Sequence, residues 1–161
     1  MELRRVFDDL VRFETELWNG IDARLQRDCG VPLGSFNTLL VIEATPSCRV
    51  NDIVAALSIT VGGASQAVDR LEKRGLCVRR PHPTDRRSSI VELTGAGQDL
   101  VNTAGPVFDQ ELEAWLRGPL TDAALGRFGA ALASLRAGTS RASVSVDTPA
   151  AADTADSSEG P

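Results

Sequence analysis

Between Asn51 and Leu93 the spacing of apolar residues switches from helical to alternating, and that switch restricts the chain to very few folds. Ile53, Val54 and Leu57 fall on one side of a short helix predicted over 51–57. A polar turn, Ser58-Ile59-Thr60, follows. Val61, Ala64, Val68 and Leu71 then form the apolar stripe of a longer helix over 61–74, with Gly75 as its stop. Two helices about a short turn, the second with a polar face, make a helix–turn–helix. After Gly75 the residues alternate. Leu76 to Arg80 reads as one strand and Ser89 to Leu93 as its partner, joined by the turn-rich segment Pro81-His82-Pro83-Thr84-Asp85-Arg86-Arg87-Ser88. A hairpin placed directly after a helix–turn–helix is a wing.

Both flanks read as helical. Leu3, Val6, Phe7, Leu10, Val11, Leu17, Trp18, Ile21 and Leu25 recur at helical spacing and predict a long amphipathic helix over 3–27, ended by Gly30 and Pro32. A second helix is expected from Ser35, as its cap, through Phe36, Leu39, Leu40 and Ile42 to Ala44, before Thr45-Pro46-Ser47 breaks the chain. Downstream, Thr94 to Ala96 connects the wing to a helix over 98–116 with a kink expected at Gly105-Pro106. After Gly118-Pro119 a last helix over 122–136 carries Leu125, Phe128, Leu132 and Leu135. Beyond Gly138 the composition falls to Ala, Ser, Thr, Asp and Gly, so 139–161 is expected to be a disordered acidic tail. The expected fold is mainly α with a small β-hairpin: one domain over 1–138 whose winged helix–turn–helix lobe spans 47–94.

The net charge of −5 argues against nucleic acid only if it is evenly spread, and it is not. Residues 47–94 hold eight basic against five acidic side chains, a net +3, which leaves −8 elsewhere. A basic middle between acidic flanks is able to present one phosphate-binding face. Sixteen of the 17 basic residues are arginine, which is as much a compositional bias as a signal at any one position. No apolar run approaches the roughly 20 residues a membrane span needs, and the opening MELRRVFDDLVRFE lacks the apolar core of a signal peptide, so a cytoplasmic protein without membrane contact is expected.

Enzymatic readings find little support. Gly95-Ala96-Gly97 between a strand and a helix suggests a nucleotide loop, but the third position of that fingerprint is Leu100. The single histidine, His82, lies between two prolines, with no nucleophile motif around it. Cys29, Cys48 and Cys77 are scattered, so reduced, inert thiols are expected and neither a metal site nor a cofactor.

Leu57-Ser58-Ile59-Thr60, Val68-Asp69-Arg70-Leu71-Glu72-Lys73-Arg74-Gly75-Leu76, Arg80 to Arg87 and Val91-Glu92-Leu93-Thr94 together resemble the MarR (multiple antibiotic resistance regulator) family, with the wing signature at Asp85, Arg87, Leu93 and Thr94. The resemblance spans about residues 3–138. It implies a transcriptional regulator that is a homodimer through helices at 3–27 and 98–136, binds a palindromic double-stranded DNA operator, and acts as a repressor released by a small aromatic or phenolic effector. Leu3, Leu10, Leu17, Phe108, Leu112, Leu116, Phe128 and Leu132 are more apolar side chains than one small lobe is able to bury around those helices.

Carried onto this chain, the exposed start of the 61–74 helix would meet base edges through Gly62, Gly63, Ser65, Gln66 and Asp69; glutamine suits adenine and serine any base. Arg70, Lys73 and Arg74 would meet phosphates. In the wing, Arg87 would enter the minor groove braced by Asp85, with Arg86 on a phosphate. Arg12, Trp18 and Phe36 are candidate effector contacts, an arginine beside aromatic rings suiting an aromatic carboxylate. Two alternatives stand beside this reading: a redox-sensing regulator of the same fold using a cysteine, and a helical dimerisation module that binds no DNA.

Overall fold

The structure is a computed structural model that describes residues 2–85 and 87–146, without the side chains of 140–146. Its elements run α1 (Leu3–Cys29), α2 (Leu33–Ala44), α3 (Val50–Leu57), α4 (Val61–Lys73), β1 (Cys77–Pro81), β2 (Ser89–Leu93), α5 (Gly95–Leu112), a π-helical turn (Glu113–Arg117) and α6 (Asp122–Val146). The mainly helical chain with one two-stranded antiparallel hairpin is the expected class. The described residues divide into two compact units, one through Gly118 and one from Pro119 to Val146.

Two apolar clusters hold the first unit together. Leu39, Ile42, Ile53, Val68, Leu71, Leu76 and Val91 join α2, α3, α4 and the hairpin into the lobe. Ile21, Leu25, Val31, Leu33, Phe36 and Ala104 hold α1 and α2 against α5, with Leu40 and Leu100 packed against both clusters. The hairpin pairs Cys77 with Leu93 and Arg79 with Val91, and the Val91 N–H also donates to the Cys48 carbonyl at 2.7 Å, which pins the segment before α3 to the sheet.

Four boundaries differ from the sequence expectation. α1 ends at Gly30, whose φ of +64° suits glycine, but α2 begins at Leu33 behind Pro32 and not at Ser35. The Asp22 carboxylate accepts the Leu33 N–H at 2.7 Å, so the cap of α2 comes from α1 and no local signal marks it. α5 begins at Gly95: Thr94 Oγ1 accepts the Gly97 N–H at 3.1 Å, and Gly95-Ala96-Gly97 is the helix's first turn. Pro106 sits inside α5, while the regular helix gives way at Glu113–Arg117, where Trp115 packs on Gly20; a Cβ on Gly20 would lie 2.7 Å from that ring. α6 continues past 136 to Val146, because the Ala-rich stretch carries no proline and Gly138 costs a helix only about 1 kcal/mol. The tail expected over 139–161 is therefore helical to 146, and 147–161 lie outside the described residues.

Candidate nucleic-acid interface

α4 divides its residues by helical period. Ala64, Ala67, Val68 and Leu71 are buried, which leaves Gly62, Gln66, Asp69, Arg70 and Lys73 exposed and Gly63 and Ser65 half-buried. Thr60 caps the helix by accepting the Gly63 N–H at 3.0 Å. A Cβ on Gly63 would approach that hydroxyl at 3.2 Å, whereas one on Gly62 would meet nothing within 4 Å. Internal packing gives Gly62 no reason to be glycine.

Two residues of the expected set have other partners. Asp69 pairs with Arg79 of β1 at 2.7 Å and is therefore not a free base-reading group. Arg74 donates to the Gly30 carbonyl at 3.0 Å, tying the end of α4 to the end of α1. Arg70 and Lys73 stay exposed, with no ion pair among the described residues.

Arg79 is the residue that the sequence reading missed. Its guanidinium pairs with both Asp69 and Glu72 and reaches the Ser65 carbonyl at 3.4 Å, while its N–H donates to Glu72 at 2.8 Å. One side chain thus clamps α4 to the wing along two of its turns. Strand alternation carried the signal: Arg79 shares a face with buried Cys77, and an arginine on the inner face of a strand requires carboxylate partners.

The wing loop is built on Asp85. Its Oδ1 accepts the Arg87 N–H at 3.0 Å, its carbonyl accepts the Ser88 N–H at 3.1 Å, and the His82 N–H donates to the Ser88 carbonyl at 3.1 Å. Asp85 therefore braces the backbone of Arg87 and leaves the exposed guanidinium free to project. The bond from the Arg87 N–H is the main reason its carboxyl stays below the ordinary carboxylate range, with the charge of Arg49 adding to it. Arg86 lies outside the described residues. Asp85, Arg87, Ser88 and Ser89 share a hollow of about 380 Å³ with Arg49, Val50 and Asn51 at the start of α3.

A second, mostly apolar cavity of about 200 Å³ opens between α1, α2 and α5, lined by Glu14, Leu17, Trp18, Ile21, Leu33, Asn37, Phe108 and Leu112. Of the three effector contacts read from the sequence only Trp18 lines it. Arg12 is exposed on α1 outside this cavity, and Phe36 is fully buried beneath it with its ring 5.4 Å from that of Phe108. A helical period does not tell a core aromatic from a cavity wall.

Cys48 and Cys77 are buried, and desolvation pushes both thiols up to about 11. Such thiols are poor nucleophiles near neutral pH. A disulfide reagent at pH 7.5 is expected to titrate at most one thiol per native chain, the half-buried Cys29, and three in urea. Rapid native labelling of Cys48 or Cys77 would restore the redox alternative.

The MarR family model matches residues 30–88, which run from the end of α1 through the wing loop. The HTH-type transcriptional regulator BilQ of Clostridium symbiosum is 30% identical over 55% of this chain, and that match spans 60% of BilQ's length. Among solved structures, Sco3205, a MarR family transcriptional regulator from Streptomyces coelicolor in complex with DNA, is 25% identical with a TM-score of 0.79, covering 84% of this chain and 90% of its own. CouR from Rhodococcus jostii, solved with p-coumaroyl-CoA, is 24% identical, with a TM-score of 0.70 over 78% of this chain and 87% of its own.

Proposed function

We propose that this chain, which belongs to the MarR family of winged-helix transcriptional regulators, binds a palindromic double-stranded DNA operator as a cytoplasmic homodimer and represses transcription until a small aromatic ligand releases it. One observation carries the reading. α4 buries its apolar stripe and presents Gln66, Arg70 and Lys73 to solvent, clamped by Arg79 to a hairpin whose loop holds Arg87 outward. That combination supplies base-reading, phosphate-binding and minor-groove groups on adjoining elements.

The dimer rests on α1, where Leu3 is 80% and Phe7 64% exposed and Val6, Leu10 and Val11 lie open beside them. An apolar face of that extent marks an interface. Leu17, Phe108 and Leu112 pack partly into the core instead of adding to it. Effector binding rests on the cavity at Trp18. Its only charged lining residue is Glu14, so a neutral phenolic ring bonded by Asn37 fits better than the aromatic carboxylate that Arg12 would have suited.

Selection from a random duplex pool tests the reading. The expected product is a twofold-symmetric site with half-site centres about one helical turn apart, since each protomer brings one reading helix. Its affinity should fall linearly with salt on logarithmic axes and exceed that for scrambled DNA by roughly a thousandfold or more. A pool that yields no enriched sequence would refute operator recognition.

A further inference from the structure

The wing is tied to the helix–turn–helix by a contact that neither the family resemblance nor the expected site residues include. Arg49, just before α3, places Nη2 2.7 Å from Nε2 of His82 at the base of the wing loop. A guanidinium only donates, so the imidazole nitrogen facing it must accept. The other ring nitrogen, Nδ1, faces Thr84, whose backbone N–H and hydroxyl both lie 3.3 Å away. Arg49 is itself held: its N–H donates to Asp52 of α3 at 2.7 Å, and its carbonyl receives the amide of that residue at 3.0 Å. His82, two residues beyond Arg80, joins its N–H to the Ser88 carbonyl and so closes the loop that carries Arg87.

We infer that Arg49 and His82 form a latch that positions the wing against α3 and thereby aims Arg87. This rests on the DNA-binding function proposed above. Asp85 in the wing and Asp52 behind Arg49 are the carboxylates nearby, and both are engaged by backbone N–H groups. Arg49 and His82 are positioning residues, since Arg87 makes the groove contact. A charge-assisted hydrogen bond of this kind is worth on the order of tenfold in an equilibrium.

Because His82 is the chain's only histidine, its ring nitrogens give a single pair of ¹⁵N resonances and the latch is observable without DNA. In the full-length protein, Arg49→Ala should shift the Nε2 resonance and speed amide exchange at His82 and Ser88. Operator affinity should fall about tenfold, with little change on scrambled DNA, as expected for loss of one charge-assisted positioning bond. His82→Ala should reproduce that loss. His82→Gln keeps an acceptor for the guanidinium, so it should bind like wild type. An imidazole signal indifferent to Arg49→Ala, or wild-type operator affinity in His82→Ala, overturns the latch. If the imidazole responds but wild type selects no DNA, the proposed function fails and the aiming role falls with it.

Discussion

Gly97→Ala is expected to destabilise the protein by about 3 kcal/mol or more, a loss that core overpacking produces only when nothing nearby yields. A Cβ at this position would sit 1.9 Å from the Leu76 carbonyl oxygen and 3.0 Å from its carbon. That oxygen is backbone and already accepts the Thr94 N–H at 3.1 Å, while Thr94 Oγ1 donates to the Gly75 carbonyl at 2.6 Å. The first turn of α5 is thus seated on the start of the wing, and no side chain is available to rotate away. Relief requires α5 to lift or the Thr94 bonds to break, which loosens the lobe from the helix that carries it. Gly95 is the control. It stands in the same turn, exposed, and a Cβ there meets nothing within 4 Å, so Gly95→Ala should be neutral or stabilising by up to about 1 kcal/mol. Urea unfolding of both variants decides the matter, and a Gly97→Ala cost below about 0.5 kcal/mol would show that the close approach is not real.

Arg87→Ala should lower operator affinity by about 1–3 kcal/mol without affecting folding, since the side chain is exposed and Asp85 holds only its backbone. Part of that loss should track the A·T content of the flanking minor groove, where a narrow groove concentrates negative potential. Gln66→Ala should relax base preference at one position per half-site. Lys73→Ala should weaken every sequence alike and flatten the salt slope by about one counterion per lost contact. Lys73 serves this comparison better than Arg74, whose bond to the Gly30 carbonyl would mix folding with binding. Titrations of the three variants on the operator and on scrambled DNA at several salt concentrations separate the roles. Equal losses on both DNAs would reduce the surface to a generic basic patch.

Where exposure depends on local pattern, it was readable from the sequence. The helical stripe Val61, Ala64, Val68, Leu71 left Gln66, Arg70 and Lys73 outward, and helical period alone dictates that division. Contacts between residues distant in sequence were not readable. Asp69 looks like an unpaired helical carboxylate until Arg79 arrives from β1, and Phe36 looks like a ligand-facing aromatic until the core, Phe108 included, covers it.

By itself, the sequence determined the order of helices and strands, the turn that divides α3 from α4, and the wing between Pro81 and Ser88. Each of these follows from the period of apolar residues and from turn chemistry within a few positions. Only the tertiary structure decided that Asp22 caps α2, that Gly97 seats α5 on Leu76, that Arg79 clamps α4 to the wing and that Arg49 meets His82. Those contacts join residues between 10 and 33 positions apart. Their partners are chosen by how the apolar faces pack, and buried or half-buried polar groups then take whatever complement that packing brings within reach.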